Sequence, residues 1–287
     1  MVITVASGKG GTGKTTVSTS LTVAISRQKT VSHVDLDVEE PDSNIFLKVP
    51  IKREEMIWLP LPVIDYEKCT FCGVCQRVCE YNAIFVFKNT KEVKVFDQLC
   101  RGCGACKEMC PYDAIYEVQR YIGIFSYGEK GNIRFYEGRL NVGEYVTTDA
   151  IRWVKRRLKK INDSEITVID APPGTSCPVI HSMKDADFVL LVTEDTPFGL
   201  FDMKLAYGVA KKMNKKMGII INKALPGFTE TREFAKKENV PVLMEIPFDR
   251  KFAKAYAEGI TLSEYSDEFR ERFEEVFSYI EKEVENA

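Results

Sequence analysis

Residues 8–15 of this 287-residue chain read Gly-Lys-Gly-Gly-Thr-Gly-Lys-Thr, and this string limits the possible folds more than any other. The preceding Met1–Ala6 is a short apolar run, and Lys14 to about Gln28 has helical propensity, so the loop lies between a strand and a helix. That order opens an α/β unit. The string fits G-x-x-x-x-G-K-[ST], whose chemistry is phosphate binding. Gly8, Gly10, Gly11 and Gly13, with Thr12, let successive backbone N–H groups turn towards phosphate oxygens. Lys14 neutralises the β- and γ-oxygens, and the Thr15 hydroxyl, followed by Thr16, is placed to ligate Mg2+. An ordinary Gly-rich turn is the alternative, but such a match arises by chance in only about one chain in a hundred.

Further apolar, β-branched runs at Val31–Asp35, Ile166–Asp170, Phe188–Thr193, Gly218–Asn222 and Val242–Ile246 alternate with helical stretches in the later part of the chain. Such alternation predicts a mostly parallel sheet covered on both faces. Tyr121–Tyr127 and Ile133–Tyr136 flank a Gly-Glu-Lys-Gly turn and predict a hairpin. Glu264–Glu285 places Phe269, Phe273, Val276, Phe277, Ile280 and Val284 at helical spacing opposite an acidic face. An interfacial membrane helix would carry Lys and Arg there, so the pattern favours a helix packed on the core.

Between about Pro62 and Val118 the α/β rhythm stops, and an internal repeat takes its place. Cys69, Cys72, Gly73, Cys75, Cys79, Tyr81, Ala83 and Ile84 recur 31 residues later as Cys100, Cys103, Gly104, Cys106, Cys110, Tyr112, Ala114 and Ile115. Each copy is C-x2-C-x2-C-x3-C, the bacterial ferredoxin run, in which three close thiolates hold one cluster and the fourth completes the other. The expected sets are therefore Cys69, Cys72, Cys75 and Cys110 on one [4Fe-4S] centre, with Cys100, Cys103, Cys106 and Cys79 on the second. Structural zinc is the competing reading, and a triple-Cys run repeated in this way fits it poorly. Pro111 follows the last cysteine, whereas Glu80 stands at the corresponding place in the first copy.

Cysteines so grouped, without an export signal, read as thiolates in a reducing compartment, and the expected location is cytoplasmic. No stretch approaches the roughly 18 apolar residues that span a bilayer. With 40 basic and 42 acidic residues the net charge is −2, so nothing global requires nucleic acid or an anionic membrane as partner.

The sequence KGGTGKTT, with its additional lysine at Lys9, resembles the deviant Walker A motif of the MinD/ParA, Mrp and nitrogenase iron-protein superfamily. Asp35-Leu36-Asp37 resembles its switch I acids, and Ile169-Asp170-Ala171-Pro172-Pro173-Gly174-Thr175 its Walker B and switch II segment. Asn222, in Ile221-Asn222-Lys223, resembles the adenine-contacting Asn, and Pro247 and Asp249, in Ile246–Asp249, the loop closing over the base. The resemblance covers about 1–53 and 139–287. It implies a P-loop NTPase fold, ATP/ADP and Mg2+ as ligands, and a homodimer formed on ATP binding, with Lys9 reaching the partner's phosphates. It also implies that Asp37 positions the attacking water, that Asp35 lies near the metal, that Asp170 holds a metal-bound water, and that Gly174 approaches the γ-phosphate.

The expected organisation is an α/β P-loop ATPase domain over 1–61 and 119–287, interrupted by a small α+β ferredoxin-like domain over 62–118. Cys177, the ninth cysteine, reads as a buried structural residue or as a redox or transient ligand. Arg152, Lys155, Arg156, Arg157, Lys159 and Lys160 on one helix, and Lys211, Lys212, Lys215 and Lys216 on another, read as solvated faces before a nucleic-acid site or a docking face for an acidic protein. Three functions follow. The leading one couples ATP to electron transfer through the clusters, towards a redox partner or cluster acceptor that the sequence does not identify. The second is iron–sulfur or metallocofactor assembly, weakened because no further C-x-x-C follows Cys110. A positioning ATPase with redox sensing is the third.

Overall fold

Five-residue strands buried along their whole length form the middle of the molecule, which the computed structural model describes over residues 1–286. In chain order, β1 (Val2–Ala6), α1 (Lys14–Ser26), β2 (Val31–Asp35) and α2 (Ser43–Leu47) lead to the long strand β3 (Ile51–Ile64). The cysteine-rich region follows, with α3 (Val74–Arg77), β4 (Ile84–Phe87), β5 (Glu92–Val95) and α4 (Ala105–Glu108). The chain returns through β6 (Ile115–Lys130) and β7 (Ile133–Leu140) to α5 (Thr147–Ile161), β8 (Ile166–Asp170), α6 (Cys177–Met183) and β9 (Phe188–Glu194). It then passes through α7 (Pro197–Lys212), β10 (Lys216–Ala224), α8 (Glu230–Glu238) and β11 (Val242–Pro247), and ends in α9 (Arg250–Ala257), α10 (Leu262–Tyr265) and α11 (Asp267–Glu285). Ala287, the last residue of the expected ATPase domain, lies outside the described residues.

Nine strands make one sheet in the order β11-β10-β9-β1-β8-β2-β7-β6-β3. Only β6 runs against the rest, since it pairs antiparallel with both β7 and β3. The parallel part is apolar on both faces, as strands covered by helices must be. One face packs Ile3, Val5, Val168 and Leu190 on Leu21 of α1 and on Phe269, Phe273, Val276, Phe277 and Ile280 of α11. The acidic C-terminal segment is therefore a core helix. It is broken at Ser266, which caps α11 in an extended conformation. No helix among the described residues is long and apolar enough to cross a membrane.

Strand β3 has no counterpart in the sequence reading. Its first residues, Ile51-Lys52-Arg53-Glu54-Glu55, are largely exposed and charged, as suits an edge strand, and two prolines lie further along. It pairs with β6 from Ile51 opposite Gly128 to Ile64 opposite Ile115, with bulges at Arg53 and at Ile57/Trp58. The two strands form a ribbon that leaves the main sheet and carries the cysteine region at its tip. Leu61 lies opposite Val118 and Pro62 opposite Glu117. Beyond that level the tip has its own small sheet, β4 with β5, and its own core of Ile84, Val93, Cys106 and Ile115.

Candidate functional site

The Gly-rich loop turns between β1 and α1 through left-handed glycines, and at Gly8 and Gly13 it has no room for a side chain. Gly11 and Gly13 sit at φ 77° and 93°, in the left-handed region. A Cβ on Gly13 would stand 2.1 Å from Asn222 Nδ2, which donates to the Thr12 carbonyl at 2.8 Å. On Gly8 it would stand 1.9 Å from the Asp202 carbonyl of α7. Strand β10 and helix α7 thus clamp the loop from outside. Gly174, also left-handed, donates its N–H to Ser7 O at 3.1 Å and joins the segment after β8 to the loop.

Beside the loop lies a cavity of about 490 Å³. Gly13, Lys14, Thr15 and Thr16 form its floor and Asp37 and Asp42 line its acidic side. Ile246, Pro247, Phe248, Phe252 and Tyr256 line an apolar side together with Asn222 and Asp249. A charged end joined to an apolar, aromatic end is the shape of a site for a phosphorylated ring compound. The structure brings together the loop residues, Asp37, Asp170, Asn222, Pro247 and Asp249. Asp249 also caps α9, accepting the Lys251 N–H at 2.8 Å.

The acids divide by environment. Asp35, fully buried at the end of β2, accepts N–H bonds from Asp37 (3.0 Å), Asp42 (3.1 Å) and Ser43 (3.0 Å), so it shapes the loop that presents Asp37. Burial, then the Asp170 charge, drives its carboxyl well above the usual range. Asp170 is 1% exposed; Ser43 Oγ donates to its Oδ2 at 3.2 Å, while Oδ1 is buried without a partner. Burial pushes Asp170 up to about 6 against the pull of Lys14. Asp37 is pushed up to about 7, again chiefly by burial. Four crowded acids, Asp35, Asp37, Asp42 and Asp170, and a buried acceptor without a donor form a donor set that a hard divalent cation and its waters would satisfy.

Lys9 does not enter this cavity. Its Nζ pairs with Glu194 at 3.3 Å, and Lys223 shares that carboxylate at 2.5 Å while donating to Gly11 O at 3.0 Å. Sequence reasoning missed Glu194 and Asp42, which belong to no recognisable string, and gave no role to Lys223 within Ile221-Asn222-Lys223. It also missed Phe252 and Tyr256, whose i, i+4 spacing on α9 is the one signal that could have found them.

In the tip of the ribbon the eight clustered cysteines line two small cavities. One is bordered by Cys69, Cys72, Cys75 and Cys110, the other by Cys79, Cys100, Cys103 and Cys106. Each set takes three thiols from one repeat and one from the other. Gly73 (φ 79°) and Gly104 (φ 77°) make the matching turns into α3 and α4. Backbone N–H groups point at sulfur: Ala83 to Cys79 at 3.2 Å, Gly102 to Cys100 at 3.4 Å and Ala114 to Cys110 at 3.4 Å. Burial and then the neighbouring Cys100 push the Cys106 thiol up to about 11, and burial raises Cys75 and Cys100. Among the described residues no group of three or more His, Cys, Asp or Glu side chains is arranged to hold a metal ion.

The remaining features lie on the surface. Cys177, the first residue of α6, is exposed, which overturns its reading as a buried structural cysteine. The second lysine group holds elements together: Lys211 pairs with Glu238, Lys215 donates to the carbonyls of Lys184 and Ala186, and Lys216 to that of Glu283.

A family model described as the CobQ/CobB/MinD/ParA nucleotide binding domain matches residues 3–262. The chain is 33% identical over 285 residues to MJ0578 of Methanocaldococcus jannaschii, named as an uncharacterized protein, with 98% of this chain and 97% of that one covered. Its fold is similar to that of the septum site-determining protein MinD from Pyrococcus horikoshii, solved with Mg-ADP, at a TM-score of 0.57 and 22% identity over 96% of this chain and 95% of that one. It is similar also to a single-residue variant of Cyanothece McdA in complex with ATP, at a TM-score of 0.59 and 15% identity over 99% of this chain and 96% of that one. With its Gly-rich loop, its buried acids and a family match across most of its length, this chain belongs to the CobQ/CobB/MinD/ParA nucleotide-binding family.

Proposed function

We propose that the protein is an ATP-hydrolysing, homodimerising switch whose inserted module, residues 62–118, holds two [4Fe-4S] clusters, and that nucleotide state governs electron transfer through them. The observation that carries this reading is the pair of four-cysteine cavities, each drawn from both repeats. A cube presents four separate corners, so its ligands surround a space and do not meet at a point, and N–H···S bonds stabilise thiolates in that arrangement. When bound, such clusters supply one-electron chemistry.

The chain's own residues divide the remaining work. Lys14 and the loop N–H groups bind the β- and γ-phosphates, and Thr15 with Asp170 holds Mg2+ and its water. Asp37 orients the water that attacks the γ-phosphorus as the bond to the β–γ bridging oxygen breaks. Asn222, Pro247 and Asp249 flank the base. Lys9 leaves Glu194 to reach the phosphates of a second copy. In support of these roles, MinD and McdA of similar fold were solved with Mg-ADP and ATP.

Anaerobic isolation followed by iron and acid-labile sulfide analysis tests the cluster half. The reading requires about eight of each per chain and a cluster potential or EPR signal that differs between ATP-analogue and ADP states. Iron-free protein, or zinc in its place, would sink it, and identical signals in both states would remove the coupling.

A second reading is a positioning ATPase in which the clusters sense redox state. The similarity in fold to a septum site-determining protein favours it. ATP-dependent sedimentation with DNA or liposomes is the outcome it demands.

A further inference from the structure

Helices α5 and α6 enclose a groove of about 260 Å³ whose wall carries Arg152, Lys155, Arg156, Lys159 and Lys184, with His181 and one carboxylate, Asp185. Lys155 is structural: its Nζ donates to the His181 carbonyl at 2.6 Å and pairs with Asp185 at 3.2 Å. Of the others, Arg152 stands 2.9 Å from His181 Nε2 and pairs with Asp149, and Lys159 pairs with Asp185 at 3.7 Å, which leaves Arg156 and Lys184 spare. Arg152, Arg156, Lys159 and Lys184 are exposed, and neither Arg156 nor Lys184 forms an ion pair among the described residues. On α5 the positions 152, 156 and 159 lie along about 10 Å of one face. Their field acts on His181, which burial and then Arg152, Lys184 and Lys155 hold below its ordinary range.

This strip continues to the cysteine module. Arg152 pairs with Asp149 at 3.4 Å, and Arg101 acts on the same carboxylate. Arg101 stands between Cys100 and Cys103, lines the Cys79/Cys100/Cys103/Cys106 cavity, and donates to the Tyr145 carbonyl. Cys103 is exposed there. On the same connection Val142 and Tyr145 are 106% and 72% exposed, which adds an apolar patch beside the cations. The cation groove, the apolar patch and the exposed thiol form one surface on a protein whose net charge is −2.

We propose that this surface, from Cys103 and Tyr145 along Arg152, Arg156 and Lys184, docks an acidic protein. An apolar patch beside exposed charge suits a transient protein interface, and opposite charge speeds and orients such encounters. Nucleic acid fits less well, because Asp149 and Asp185 lie within the strip and the Val142 side chain offers no phosphate contact. Helix α6 begins three residues after Gly174, whose N–H is bonded to Ser7 O, so the groove's second wall is joined to the nucleotide loop. That the docked protein exchanges electrons rests on the iron–sulfur reading; docking does not.

The test uses the full-length protein and a fluorescently labelled plant-type ferredoxin, a small acidic probe, in an anisotropy titration. At about 20 mM salt the parent should bind, and at about 300 mM binding should be largely lost, as screening requires. R156E/K184E should weaken low-salt binding by roughly tenfold or more, and Tyr145→Ala severalfold, with iron and sulfide content and circular dichroism unchanged. No binding by the parent at low salt, or equal binding by parent and variant, overturns the proposal. So does displacement of the probe by a 24-bp duplex that binds more tightly and loses affinity in the same variant. Absence of iron with binding intact removes only the electron-transfer reading.

Discussion

At the residue scale, the nucleotide cavity is governed by acids that the fold buries before any cation is present. The folded chain holds the protons of Asp170 and Asp37 to about pH 6 and 7, whereas the unfolded chain releases them near 3.8. Protonation therefore stabilises the fold. That contribution is complete below the unfolded value and is lost as pH rises through 6 to 7, at roughly 3 kcal/mol for a buried carboxyl shifted by about two units. Thermal unfolding without nucleotide should accordingly give a lower Tm at pH 8 than at pH 5.5. Asp170→Asn should flatten that dependence, and Mg2+ with nucleotide should restore stability at pH 8. A parent Tm that rises from pH 5.5 to 8 would contradict it. Gly13→Ala is a second residue-level case. With φ at 93° and Asn222 Nδ2 2.1 Å from the new Cβ, the loop must shift, and nucleotide affinity by calorimetry should fall by about tenfold or more, equivalent to 1.4 kcal/mol.

At the element scale, α11 and the ribbon have opposite tasks. Helix α11 closes one face of the parallel sheet, and Phe273 at its centre is fully buried. Truncation to Ala should lower unfolding free energy by about 3–5 kcal/mol in denaturant titrations, while Phe198→Ala, 79% exposed on α7, should change it by less than about 0.5 kcal/mol. The 3.6-residue period made α11 legible in the sequence. The ribbon was not legible, because β3 pairs with residues more than fifty positions away and displays charge along an open edge. Alternation was masked at Ile51–Glu55, and nothing local to the strand announces its partner.

At the scale of the whole molecule, the ribbon joins the cysteine region by paired strands to the sheet that holds the nucleotide loop. The loop between β2 and β3, which carries Asp37, is also tied to the chain leading from the ribbon, since Glu39 accepts from Thr147 at 2.5 Å. Arg120 meanwhile holds Glu144 at 2.7 and 3.0 Å just before α5. These bonds join the segment that carries Asp37, and strand β6, to the start of α5. For the proposed dimer, light scattering should double the mass with a non-hydrolysable ATP analogue and not with ADP. Lys9→Ala, which frees Glu194 of one partner, should remain monomeric in both. The sequence alone determined the nucleotide family and the mostly parallel sheet, because each depends on short-range spacing: glycines in a loop and apolar runs of one strand's length. Only the tertiary structure decided what surrounds those strings. It put Glu194 on Lys9 and Asn222 against Gly13, because each of these contacts joins segments whose separation along the chain carries no periodic signal.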